Sequence, residues 1–295
     1  MSVGTVATPT TRGRHAWRVV GRLSLYLIAV LLAIVFAIPA YWTAVGALKS
    51  VAEIRHIPPV WIPSRWRWED FQLVWQNVPF GTFYRNTLIV TGLATLGQVL
   101  TASIVGYGFA RFRVPGGNII FMLILGTIIF PPELTLVPTF VLFKELNWLD
   151  TLKPLIVPYW FGGGAFFIFL FRQFFMSLPQ ELIDSARLDG AGHLRVFWEI
   201  AAPLTMPAYA AAAIISFFSH WNDFINPLIY LNSTENYTLA LGIRAFTIGE
   251  VGLSGVPQDN LFMAAALMMT LPTVVVFIFA QRYFIRGVVA TGLKG

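Results

Sequence analysis

Charged residues along this chain are spaced so that long apolar intervals lie between them. No Asp, Glu, Lys or Arg interrupts the 26 residues between Arg22 and Lys49, the 25 between Arg85 and Arg111, or the 18 between Lys153 and Arg172. The same holds for the 23 residues between Glu199 and Asp223 and the 22 between Asp259 and Arg282. A sixth interval, 30 residues from Arg113 to Lys144, is broken only by Glu133. A helix needs about 20 apolar residues to cross the hydrocarbon core. The pattern therefore predicts six spans, at about 23–48, 86–110, 118–142, 154–175, 204–230 and 261–281. The short alternating segments of a transmembrane barrel are absent. The expected fold class is an all-α integral membrane protein.

One connection departs from this pattern. Residues 176–203 are densely charged and long for a simple return into lipid. Ser177 and Gln180 have the S-x-x-Q spacing of a capping box, with Pro179 tolerated in the first turn, so a helix is predicted to start there. Ile183, Ala186, Gly190, Leu194, Phe197 and Ala201 recur at three- and four-residue steps and predict one apolar helical face. Asp184, Arg187, Asp189, Arg195 and Glu199 fall largely off it. Glycine inside a helix costs about 1 kcal/mol relative to alanine. Gly190 therefore suits a bend between two short helices, or a point where another protein's backbone comes close. On these residues alone the segment is either a docking element or an amphipathic helix resting on lipid headgroups.

Composition agrees with the membrane class. Hydrophobic residues make up 57%, charged residues 12%, and mean hydropathy is +0.69. Soluble domains have about 45–50% apolar and 25% charged residues. With six spans, both termini lie on one side. That side holds twelve of the 20 Lys and Arg residues, among them Arg12, Arg14, Arg18, Arg22, Arg111, Arg113, Arg172, Arg187 and Arg195. The positive-inside bias assigns both termini and the 176–203 loop to the cytoplasm of a cell with this chain in its inner membrane. The net charge of +6 reflects this bias. It does not indicate nucleic acid, since no basic helix or aromatic platform accompanies it. Residues 1–20 are expected to form a cytoplasmic tail, disordered over roughly the first fifteen. They are not a cleavable signal peptide, because the apolar run that follows is too long and five more spans come after it. The absence of cysteine excludes disulfides.

The external segments and the intramembrane polar residues carry the remaining candidates. Residues 49–85 place Trp61, Trp66, Trp68 and Trp75 among prolines and arginines, as an interfacial belt or as a surface for an external partner. Residues 231–260, with Gly242, Gly249, Gly252 and Gly255, are expected to be a flexible external loop. Glu133 follows Pro131 and Pro132 and precedes Pro138, so its span is predicted to be kinked or partly unwound. The residue is either a functional intramembrane group or a hydrated one near the outer interface. Trp221, Asn222 and Asp223 offer the ring face and directed polar groups that a sugar requires, and with Glu133 they are the candidate solute path. The same run would serve helix packing equally well. His220 and Asp223 are three apart and could share a face, but a metal site needs more ligands. Gly162–Gly164 would permit a close helix approach or a bend. There is no G-x-x-x-x-G-K-[ST] phosphate loop. His15, His56, His193 and His220 are scattered, and no nucleophile–base pair is visible. No catalytic, metal-binding or cofactor-binding residue is assigned.

The stretch from Asp184 to Pro203 resembles the E-A-A-x3-G-x9-I-x-L-P signature of the permease subunits of binding-protein-dependent ABC importers. Asp184, Ser185 and Ala186 stand where the family has E-A-A, and Gly190, Ile200 and Pro203 fall at the family's distances. Asp184 replaces glutamate, Ser185 alanine, and Ala202 leucine. W-N-D-F-I-N-P-L (221–228), T-L-A-L-G-I (238–243) and Q-R-Y-F-I-R-G-V-V-A-T-G-L-K-G (281–295) resemble the carbohydrate-uptake branch, especially the second permease of the maltose-transporter type. The likeness runs from about residue 20 to the end of the chain. It implies a type I ABC importer permease fold over 21–295. It further implies that the 176–203 loop couples to an ATPase through Asp184, Ser185, Ala186, Asp189, Gly190, Ala191, Ile200 and Pro203. The implied partners are a second permease in a heterodimer, two ATPase subunits that hold ATP and Mg, and an external solute-binding protein reached by the 231–260 loop. The implied solute is a sugar or oligosaccharide; a different polar solute, such as glycerol phosphate, is the alternative within the family. An ion-driven secondary transporter would need inverted repeats, and a membrane-embedded enzyme would have to use His220 and Asp223.

Overall fold

The structure, a computed structural model, describes residues 11–113, 115–249 and 259–292, with side chains for 21–113, 115–249 and 259–281. In chain order its helices are α1 (Thr11–Gly46), α2 (Val51–Ile54), α3 (Glu69–Asn77), α4 (Phe80–Arg111) and α5 (Gly117–Gly126). They continue with α6 (Pro132–Glu145), α7 (Lys153–Ile156), α8 (Ala165–Met176), α9 (Gln180–Leu188) and α10 (His193–Val196). The last are α11 (Ala202–Leu204), α12 (Met206–Trp221), α13 (Ile225–Tyr230), α14 (Leu239–Thr247) and α15 (Asp259–Gly292). No strand occurs among the described residues.

Four segments are long and apolar enough to cross a membrane: Gly21–Gly46, Phe80–Arg111, Lys153–Met176 and Asp259–Gln281. Two bent pairs raise the number to six: Gly117–Ile129 with Pro132–Glu145 at 100°, and His193–Leu204 with Met206–Trp221 at 78°. The third span is therefore broken, as its proline pair predicts. Several expectations need correction. Helix α1 starts at Thr11, inside the segment read as a tail. The second span begins at Phe80 and carries Arg85 on an exposed helical face. The helix of the fifth span ends at Trp221, and residues 225–230 form a separate short helix, so 204–230 is not one continuous span. Gly252 and Gly255, the arginines at 282 and 286, and Lys294 lie outside the described residues or side chains.

The chain divides into two compact units, residues 1–70 with 257–267 and residues 71–256 with 268–295. In the first, the connection after α1 is held by polar contacts at its own turns. Lys49 is fully buried, donates to the Val60 carbonyl and lies 4.2 Å from the Trp42 ring centroid. Ser50 and Glu53 form a capping box at the start of α2, and Glu53 also accepts from Ser64 N at 2.8 Å. Asp70 is buried between Arg67, at 3.0 Å, and Asn260, at 2.6 Å. Trp61 packs edge-on against Trp42, so its ring is shared between packing and surface.

In the second unit α4 runs along α8 and α12. Their shared core contains Ala102, Tyr107, Phe171, Phe175, Ala208 and Ala212. Helices in lipid associate through close packing of small residues more than through apolar burial. Gly106 shows why: a Cβ there would come within 2.8 Å of Phe171 Cβ and 3.0 Å of the Arg172 backbone. The fourth span is interrupted between Trp160 and Ala165, where Gly162, Gly163 and Gly164 all have positive φ (91°, 70° and 92°). Such a run is open to glycine and strained for other residues. The triple glycine thus makes a bend, and at Gly163 it also permits close contact with α4.

Candidate functional site

The charged connection folds as a helical hairpin. Helix α9 ends at Leu188, Gly190 takes φ +84°, and α10 begins at His193. Backbone bonds close the turn, from Gly190 N to Arg187 O at 3.0 Å and from Ala191 N to Ala186 O at 2.9 Å. The positive φ explains the glycine. No described residue lies within 4 Å of a Cβ placed there, so the position is open on its outer side. Ile183, Ala186 and Val196 form a small core, with Ala191 and Ile200 packed against it.

The coupling candidates therefore split into two groups. Ala186, Ala191 and Ile200 face into the hairpin, whereas Asp184, Ser185, Asp189, Gly190 and Pro203 are exposed. The apolar face predicted through Leu194 does not hold. The turn at 189–192 resets the helical phase and leaves Leu194 76% exposed. Leu188 is 89% exposed, and Trp198 is also largely exposed, so the hairpin displays an apolar tip that periodicity did not reveal. The expected capping box fails as well. Pro179 occupies the N-cap position of α9, and the Ser177 hydroxyl donates back to the Phe174 carbonyl at 2.7 Å.

Arg111, read from the sequence only as a cytoplasmic charge, anchors the hairpin's root. From the last turn of α4 it donates to Phe175 O at 2.6 Å, Leu178 O at 2.9 Å and Gln180 Oε1 at 2.6 Å. Gln180 Nε2 donates on to Asp184 Oδ1 at 3.0 Å. The other end of the hairpin joins the fifth span through a π turn at Phe197–Ala201 and a bend at Thr205. Pro203 and Pro207 remove backbone donors there, and the Thr205 hydroxyl donates to Ala201 O at 2.8 Å. The arrangement is a hairpin tied at its root to α4 and bent at its far end into α12.

A cavity of about 610 Å³ lies elsewhere in the same unit, walled by α6, the broken fourth span and α13. Glu133, in the first turn of α6, lines it together with Gln98, Thr139, Tyr159, Asn226 and Tyr230. Gln98 Nε2 donates to the Gly163 carbonyl at 2.8 Å, so it satisfies backbone freed by the glycine break. Its Oε1 accepts from Ser216 Oγ at 2.6 Å and pairs with His220 Nε2 at 3.1 Å. Thr139 and Tyr230 share a hydroxyl hydrogen bond of 3.1 Å.

Of the four solute-path candidates, only Glu133 lines this cavity. Trp221 is 1% exposed, packs on Phe217 and Tyr84, and donates to Met269 O at 3.1 Å, so its ring serves packing. Asn222 Nδ2 donates to its own helix at Phe218 O. Asp223 accepts from Asn226 N at 3.2 Å and Nδ2 at 2.9 Å and is not among the lining residues. His220 and Asp223 take different partners. Among the described residues no three His, Asp or Glu side chains converge as metal ligands.

Residues 98–290 match the family described as binding-protein-dependent transport system inner membrane component. A sn-glycerol-3-phosphate transport system permease protein of Yersinia pestis is 34% identical over 258 residues, 85% of this chain and 90% of the relative. An arabinooligosaccharides transport system permease protein of Bacillus subtilis is 31% identical over 281 residues, 93% and 96% of the two chains. In fold, the chain is similar to a subunit of a bacterial ABC transporter involved in the import of the acidic polysaccharide alginate. That likeness has a TM-score of 0.78, 22% identity, and coverage of 94% of this chain and 100% of the other. The helical spans, the hairpin at the signature and these matches together establish that this chain is an integral membrane permease of the binding-protein-dependent transport system inner membrane component family.

Proposed function

We propose that this chain is one permease subunit of an ATP-driven importer that moves a sugar or oligosaccharide delivered by an external solute-binding protein. The observation that carries the reading is the α9–α10 hairpin, which exposes an apolar tip, is fixed at its root to α4 and bends at its far end into α12. Exposed apolar patches of this kind mark protein contacts. In this reading both termini and the hairpin are cytoplasmic, and the hairpin seats on one of two ATPase subunits that bind ATP and Mg. Asp184, Ser185, Asp189 and Gly190 meet the ATPase, while Ala186, Ala191 and Ile200 keep the hairpin's shape. A second, homologous permease completes the pathway. ATP-driven closure of the ATPases displaces the hairpin, and the bend at Thr205 passes that displacement to α12. Coupling requires that each ATPase state hold the hairpin differently.

The cavity beside Glu133 borders the solute route. Its hydroxyl, amide and carboxylate lining suits a polyhydroxylated solute, and the arabinooligosaccharide relative favours the sugar reading. The 34% identity to a sn-glycerol-3-phosphate permease favours a second reading, glycerol phosphate. The test is ATP-dependent uptake in proteoliposomes holding the full complex and its binding protein, with a neutral oligosaccharide and sn-glycerol 3-phosphate as alternative probes. Saturable uptake of the oligosaccharide supports the main reading; uptake of the phosphate alone supports the second.

A further inference from the structure

The cavity carries charge of one sign. Among the described residues of its wall, Glu133 is the only formally charged one, and none is Lys, Arg or His. The N-terminus of α6 places a partial positive charge of about half an elementary unit beside Glu133, which offsets only part of a carboxylate's charge. Asn226, one of the lining residues, donates to Asp223, so the second acidic group near the wall is already engaged. The wall's other polar groups are largely engaged. The Gln98 amide is taken up by Gly163, Ser216 and His220, and Thr139 and Tyr230 hold each other. The Glu133 carboxylate has no hydrogen-bond or ion-pair partner among the described residues, which leaves it free to accept.

We propose that Glu133 is a specificity-determining residue that turns anionic solutes away from this cavity and accepts hydrogen bonds from neutral or cationic polyols. The proposal rests on the reading that the cavity borders the solute route. A carboxylate offers two acceptor oxygens, which two neighbouring hydroxyls can approach as paired donors. A phosphate monoester carries close to two negative charges at neutral pH. In this cavity it would meet a like charge at short range, in surroundings less polarisable than bulk water, and no basic side chain to pair with. The geometry thus favours a neutral sugar over glycerol phosphate.

The natural chain contains no cysteine, which allows a direct test. Leu136 lines the cavity one helical turn beyond Glu133, a spacing that puts the two Cβ atoms about 5–6 Å apart. Leu136→Cys would be placed in the assembled importer, with partner cysteines replaced. Its rates of labelling would be measured with a trimethylammonium and a sulfonate methanethiosulfonate reagent. Relative to a free thiol in solution, the cationic reagent should be favoured by roughly tenfold or more. Adding Glu133→Gln should return the ratio to the free-thiol value. The same ratio with Glu and Gln at position 133 would overturn the proposal. Import of the neutral oligosaccharide before and after labelling tests the underlying route separately. Blocked import supports both ideas. Unchanged import after complete labelling, with charge preference intact, would remove the cavity from the route and the specificity role with it.

Discussion

Asp150 and Gly190 both hold left-handed backbone conformations, with φ of +55° and +84°, for different physical reasons. Asp tolerates this region because its short polar side chain can bond locally. Asp150 accepts from Asn232 N at 3.0 Å, Ser233 N at 2.8 Å, the Ser233 hydroxyl and Asn236 Nδ2 at 3.3 Å, and so ties two turns together. Burial raises its pKa, but these donors outweigh burial and hold the carboxyl at about 2 against an ordinary 3.8. Because the folded value is depressed, the stabilisation is present above the ordinary carboxylate range and is lost as pH falls from about 4 towards 2. Asp150→Asn keeps the backbone preference and removes the charge. It should lower the unfolding temperature in detergent by about 2–4 °C at pH 7, for a loss of about 1 kcal/mol. At pH 3 the gap from wild type should narrow; an equal gap at both pH values would show that the charge is not what matters. None of this was legible in the sequence, because the partners lie more than eighty positions away.

At the scale of elements, the charge-free intervals revealed where spans run, because a missing charge is a local fact. Where spans break was legible only when the breaker is itself local. Pro131 and Pro132 announced the bend before α6, and Gly162–Gly164 announced a bend or close approach that turned out to be both. The stop at Trp221 had no such marker. Periodicity carried through Gly190 puts Leu194 on the buried face, but the turn does not preserve helical phase and leaves it exposed. Arg111 was missed as a structural anchor because its three acceptors lie on a different element, the end of the fourth span and the start of α9. Its planar fork reaches all three, which a lysine ammonium cannot reproduce. Arg111→Lys should leave the spans folded and speed hydrogen exchange over residues 176–188 by about tenfold, for a loss of about 1–2 kcal/mol. Unchanged exchange in that segment would mean that the hairpin root is held by packing alone.

At the scale of the whole molecule, the hairpin and the cavity belong to the same compact unit and are linked by bent helices. Three residues at the signature positions each fill a geometric need in the hairpin: Gly190 a left-handed turn, Ile200 a packed inner face and Pro203 a bend. The cavity was less legible. Glu133 was named, but Gln98, Tyr159 and Asn226 meet it only once the fourth span is broken and α13 has turned away from α12.

The central claim is that Gly190 is open because an ATPase subunit fills the space beside it. Within this chain alone, Gly190→Ala and Gly190→Leu should behave alike. Both carry the left-handed penalty of about 1–2 kcal/mol, and no described residue lies within 4 Å of a Cβ at this position. The isolated permease should therefore unfold at the same temperature with either substitution. The decisive measurement is retention of the ATPase by the assembled complex across this pair. Gly190→Leu should retain at least about tenfold less ATPase than Gly190→Ala, with solute uptake lost in parallel. If the two variants hold the ATPase equally and transport at the wild-type rate, nothing seats against Gly190, and the hairpin is not the coupling element.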